Sequence, residues 1–181
     1  MTTIETEPGA EFDIACMVNG RAVRARVAVR QHLVDFLRER LGLAGSRLGC
    51  EHGSCGACTV RVDGVPVRGC LMLAIQADGA AIETVEGLTE SGEIADLQAA
   101  FVARNALQCG FCTAGVLVTA SELLRGEIPS TDVARAAVRD FLSGNFCRCT
   151  GYHAIVDAVC MTLEGRRAGA RPAEGTGLCH A

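Results

Sequence analysis

Lysine is absent from the 181 residues: all 17 basic side chains are arginine, against 21 acidic ones, giving a formal net charge of -4 and a pI of about 5.6. The arginine-only usage, beside abundant alanine and glycine, reads as coding bias in a GC-rich genome and carries no function. The charge balance does exclude something. No basic field exists to hold nucleic acid or an anionic membrane surface, so neither is expected as a partner. No apolar run approaches the ~20 residues that a membrane-spanning helix needs, and no membrane insertion is expected. Residues Met1–Pro8 are acidic without an apolar centre, unlike a secretory signal or transit peptide. A cytoplasmic, reducing location is therefore expected, where clustered cysteines serve as metal or redox ligands rather than as a disulfide scaffold.

Catalytic motifs are also missing. The histidines, His32, His52, His153 and His180, form no His-Glu-x-x-His pairing and default to surface or packing roles. There is no Gly-x-Gly-x-x-Gly, no phosphate-binding Gly-x-x-x-x-Gly-Lys-Ser/Thr and no nucleophile elbow. These gaps leave no expected catalytic residue for bond chemistry on a substrate.

Cysteine, by contrast, is plentiful at 11 residues, and eight of these fall into two quartets. Cys50, Cys55, Cys58 and Cys70 open with C-x4-C-x2-C; Cys109, Cys112, Cys147 and Cys149 form a C-x2-C followed by a distant C-x-C. An iron-sulfur cluster needs four convergent thiolates, with backbone amides aimed at its sulfurs. Gly49, Gly53 and Gly56 let the first loop wrap inward without Cβ clashes, and the opening spacing is that of plant-type ferredoxins. Only eleven residues separate its fourth cysteine from the third, fewer than in soluble plant-type ferredoxins. The second quartet precedes two expected helices, whose N-terminal N–H groups favour an anionic centre and depress thiol pKa values. Structural zinc is the competing use of four cysteines, but its sites usually bring paired C-x2-C or Cys/His knuckles. Disulfides fit less well, since C-x-C cannot easily close on itself. Cys16 and Cys160 sit on apolar faces as core hydrophobes, and Cys179 and His180 fall in a loose C-terminal stretch.

Period-two alternation over 12–18 and 23–29, joined by Asn19-Gly20, predicts a β-hairpin, and Leu33, Phe36, Leu37 and Leu41 predict a helix over 31–41. A second hairpin is expected at Thr59–Val67 around Asp63-Gly64, with a closing strand at 81–85. Beyond Gly87 the period becomes about 3.6, and four helices are expected, the second ending at Gly126 and the third capped by Ser130. An α+β domain over 12–87, an all-α domain over 88–164 and a flexible tail over 165–181 follow.

The runs Gly49–Val60, Gln108–Thr113 and Gly144–Tyr152 together resemble the small iron-sulfur subunit of the xanthine oxidase family of molybdenum hydroxylases, over about residues 12–164. The resemblance is to the separate small chains of carbon monoxide, nicotine, quinoline and aldehyde dehydrogenases. It implies a β-grasp, plant-ferredoxin-like N-terminal domain and a four-helix C-terminal domain, each holding one 2Fe-2S cluster on its quartet. It also implies a large partner subunit with molybdopterin, as the cytosine dinucleotide, and a medium partner with FAD, paired as a dimer of heterotrimers. The Cys109 set then lies beside molybdenum and the Cys50 set beside flavin. Gln108 and Cys149 inherit contacts to the pterin; read without the family, Gln108 is a polar group at a helix start. Ala114 departs from the family's usual proline after Cys-Thr, which loosens that helix start without removing a ligand. A free-standing two-cluster ferredoxin or redox sensor and a zinc-binding interaction module are the other readings.

Overall fold

The computed structural model of the protein describes residues 9–126 and 131–169. Strands β1 (Glu11–Val18) and β2 (Arg21–Ala28) form the first hairpin, and β3 (Thr59–Val62) and β4 (Val65–Arg68) the second. Both turns place both central residues at positive φ, Asn19 and Gly20 at 50° and 74°, Asp63 and Gly64 at 49° and 80°. That is the primed geometry whose twist matches the flanking strands, and Asn-Gly and Asp-Gly are the pairs that adopt it most readily.

Strand β5 (Ala81–Glu83) runs parallel to β1 and antiparallel to β3, joining the hairpins in the order β2-β1-β5-β3-β4. The helical segment α1 (Leu33–Asp35) continues through π-helical turns at Phe36–Arg40 and lays Leu33, Phe36 and Leu37 on Ile14, Val18, Val60 and Ile82. This is the β-grasp arrangement of a ferredoxin-like domain. A 3-10 turn at Ala74–Ala77, with no periodic signal in the sequence, closes one end of that core.

The helical half holds α2 (Val85–Glu90), α3 (Ala95–Ala103), α4 (Thr113–Arg125), α5 (Thr131–Phe141) and α6 (His153–Arg167). Four of these are the expected helices, and Gly126 caps α4. Helix α2 is additional. The strand ends at Glu83, and Val85 opens a helix that runs through residue 87 because the Asn19 side chain takes over the backbone there. Its Oδ1 accepts from Thr84 N at 2.8 Å and its Nδ2 donates to Thr84 Oγ1 at 3.0 Å. A Cβ on Gly87 would lie 2.3 Å from the same Asn19 Oδ1, so the helix seats there only with glycine. The second core gathers Leu97, Phe101, Val116, Leu124, Val138, Ile155 and Leu163. Cys16 and Cys160 are buried in the first and second cores respectively. Ser130, Cys179 and His180 lie outside the described residues.

Candidate metal centres

The first quartet lies on the loop between the π-helical turns and β3 and just past β4. Glycines at positive φ, Gly53 at 83° and Gly56 at 75°, turn the chain twice around the site. Cys50 and Cys55 form one pair, with Cys55 N–H donating to Cys50 Sγ at 3.4 Å. The buried thiols of Cys58 and Cys70 form the other. Backbone N–H groups of His52, Cys55 and Ser54 converge on the Cys50 sulfur and hold its pKa down to about 6, whereas burial pushes Cys58 up. Two histidines expected only at the surface or in packing brace the backbone of this loop. His32 Nδ1 donates to the Cys70 carbonyl at 2.5 Å, and His52 Nδ1 donates to the Cys50 carbonyl.

The second quartet is built where α4 and α6 begin. Cys109 and Cys149 are exposed with their sulfurs 3.5 Å apart, while Cys112, at the N-cap of α4, faces Cys147. Gly110 and Gly151 take positive φ, and so does Tyr152 at 69°, a left-handed turn that brings its hydroxyl back to accept from Cys147 N at 2.9 Å. Thr150 Oγ1 donates to Cys147 Sγ at 3.2 Å.

Depression of the thiol pKa values by the helix ends holds for only part of this set. The Phe111 N–H lowers Cys109; burial opposes ionisation of Cys147, but the Thr150 hydroxyl and N–H outweigh it. Burial instead drives Cys112 up to about 12, and the neighbouring Cys109 raises Cys149. A neutral apolar setting costs a thiolate more than the helix end returns until a cationic iron sits beside it.

In both sites the thiols stand two by two. Among the described residues no three His, Cys, Asp or Glu side chains close around a single ion position. Two pairs fit a two-iron core, in which each iron takes two protein ligands, and the converging N–H groups supply the donors that a cluster's sulfurs require.

A family profile described as "2Fe-2S iron-sulfur cluster binding domain" matches residues 16–89, and one described as "2Fe-2S binding domain" matches residues 84–160. The chain is 50% identical over 159 residues to the nicotine 6-hydroxylase small subunit of Paenarthrobacter nicotinovorans, covering 88% of this chain and 93% of that protein. It is 48% identical over 146 residues to caffeine dehydrogenase subunit gamma of Pseudomonas sp. strain CBB1, covering 81% and 87%. The solved quinoline 2-oxidoreductase from Pseudomonas putida 86 has a chain that superposes with a TM-score of 0.79 at 48% identity, over 89% of this chain and 99% of that one. The chain belongs to the small iron-sulfur subunits of the xanthine oxidase family of molybdenum hydroxylases.

In this small subunit the two quartets meet along one seam. Phe146 N–H donates to the Cys55 carbonyl at 2.8 Å, Asn145 Nδ2 to the Gly56 carbonyl at 3.3 Å, and Arg68 Nη2 to the Gly144 carbonyl at 2.7 Å. Helix α4 presses so closely that a Cβ on Gly115 would lie 2.1 Å from the Gly56 carbonyl oxygen. The Phe111 ring leans on Gly49. None of these long-range contacts leaves a local signal in the sequence. Gln108 is exposed in the bend between α3 and α4, directly before the exposed Cys109.

Proposed function

We propose that this chain conducts electrons from a molybdopterin centre on a large partner, through its two 2Fe-2S clusters, to FAD on a medium partner. Cys109, Cys112, Cys147 and Cys149 hold one cluster; Cys50, Cys55, Cys58 and Cys70 hold the other. The observation that carries the proposal is the pairwise convergence of both sets of thiols on opposite sides of one hydrogen-bonded seam. A bound cluster supplies a one-electron couple at each site. The protein's part is to hold four sulfurs, aim N–H groups at them and fix the distance between sets.

The rim formed by Gln108, Cys109, Cys149, Phe111 and Phe146 is exposed and in part apolar, which suits docking on the molybdopterin subunit with Gln108 and Cys149 reaching the pterin, a cytosine dinucleotide. Leu71, exposed over Gly53, suits the flavin-bearing side. We assign a cytoplasmic site and a dimer of heterotrimers; no helix among the described residues is long and apolar enough to cross a membrane. Substrate selection falls to the large subunit, and the names of the caffeine, nicotine and quinoline relatives make N-heteroaromatic compounds the first panel to test.

The test is purification of the native complex. Large and medium chains should accompany this one, and a turned-over substrate should bleach the iron-sulfur absorbance. In Cys149→Ser, substrate should no longer reduce the Cys50 cluster, while dithionite still does. A stable two-cluster monomer with no companion chains, or a colourless zinc protein, would overturn the proposal.

A further inference from the structure

Arg61 is the largest fully buried side chain, 1% exposed, and it stands in the middle of β3, three residues after Cys58. The alternation of Thr59-Val60-Arg61-Val62 would send an arginine at this position to solvent. Instead the whole strand is buried, because α4 covers its second face. The guanidinium spends its donors across the boundary between the two cluster-bearing halves. Nη1 donates to Glu83 at 3.0 Å and to Glu93 at 3.3 Å; Nη2 donates to Glu93 at 2.9 Å and to Ser121 Oγ at 2.8 Å. Nε faces Glu122 at 3.9 Å. One side chain thus ties β3 and β5 to the entry of α3 and the middle of α4. Arg166 extends the tie to α6 by donating to the Glu93 carbonyl at 2.7 Å and to Asp96.

Stability alone does not account for such a network. Desolvating several charges cancels much of their attraction, and an apolar cluster of similar volume often does as well. What a planar, multidentate guanidinium adds is a fixed angle between the elements it joins. An apolar face slides; this one cannot without breaking several directed bonds. The placement makes angle matter. Helix α4 carries Cys112 at its N-cap and touches the first cluster loop at Gly115, and Ser121 lies about 9 Å farther along the axis at 1.5 Å per residue. The close approach at Gly115 fixes one point of the helix on the first half, and the Arg61–Ser121 bond fixes a second, so the two together set its angle.

We propose that Arg61 is a positioning residue for electron transfer between the two quartets, holding α4 at a single angle on β3 so that the clusters keep one separation and orientation. The proposal rests on the reading of both quartets as clusters, and the experiment separates the two. In the native complex, two reduced signals in wild type establish the clusters; their absence would overturn that reading and, with it, the positioning role of Arg61. With both present, the magnetic interaction between them, which falls with the cube of their separation, reports their placement. Arg61→Met should keep both clusters and their individual spectra but lose the single defined splitting in favour of a broad distribution, with at least a tenfold slower transfer between them. Ser121→Ala unties α4 without stranding a carboxylate, and should show the same broadening at smaller size. Arg61→Lys, which keeps the charge but loses the fork, should not restore the wild-type splitting. A wild-type splitting in Arg61→Met, or in Ser121→Ala where Arg61→Met does not assemble, would overturn the proposal.

Discussion

The backbone N–H of Phe146 lies 2.8 Å from the carbonyl oxygen of Cys55, so a residue adjoining one quartet is bonded directly to a member of the other. Next to this bond Gly56 sits at φ 75°, where a Cβ would come within 2.6 Å of both Asn145 Nδ2 and the Gly144 carbonyl oxygen. Gly56→Ala therefore meets two penalties, a left-handed backbone that L side chains rarely adopt and a wedge against the facing loop. A cost of about 1–3 kcal/mol is expected from the backbone alone. Thermal unfolding of the complex should show a clear fall in Tm, and a melting curve equal to wild type would refute the account of the seam.

Acid should loosen the joint between the two halves. Burial would raise the carboxyls of Glu93 and Asp96, but Arg61 bonded to the first and Arg166 to the second outweigh it and hold both below their ordinary values of 4.5 and 3.8. A depressed folded-state pKa contributes stability that is complete above the unfolded value and drains away as pH falls through the folded one. The contribution of these two carboxylates should thus be flat near neutrality and decline below about pH 4.5, with Asp96→Asn showing a shallower decline there. Urea unfolding followed by far-ultraviolet circular dichroism between roughly pH 6 and pH 3.5 measures this, cluster loss being common to both proteins. Identical slopes would rule out the assigned role of Asp96.

Much of this architecture was legible in the chain because its signals are local. Asn19-Gly20 and Asp63-Gly64 announce primed turns, the 3.6 period announces α3 to α6, and the cysteine spacings announce which thiols the fold brings together. What escaped was set at long range. Helix α2 exists because Asn19, 65 residues away from Thr84, bonds to that residue. His32 and His52 serve the cluster loop through backbone carbonyls, a partnership with no spacing rule. Arg61 looks like an outward strand residue until α4 arrives to bury it. The thiol pKa values divide for the same reason: the helix end at Cys112 is visible in sequence, but the burial that overrides it is not.

That division predicts an order of thiol reactivity in the chain stripped of iron. Cys50, with three N–H groups on its sulfur and a pKa near 6, should alkylate with iodoacetamide as a thiolate already at neutral pH. Cys112, pushed to about 12 by burial, should react last. Mass-spectrometric mapping after short exposure at two pH values reads the order, and equal labelling of the two sites would contradict the geometry.

The hydroxyl of Thr150 offers a finer test, because it donates to the Cys147 sulfur at 3.2 Å and its own oxygen is held by Tyr152 N at the same distance. A donor on a ligand sulfur draws electron density from the metal side, stabilises the more negative, reduced form and so raises the reduction potential. Thr150→Val removes that donor while keeping a branched side chain, and Thr150→Ser keeps it. In a redox titration followed by EPR, the signal of the Cys109 set should move to lower potential in Thr150→Val and remain near wild type in Thr150→Ser. The signal of the Cys50 set should stay in place in both, since Thr150 donates to no sulfur of that quartet. If both signals moved together, the change would lie in the seam between the quartets and not in the hydrogen bond to Cys147.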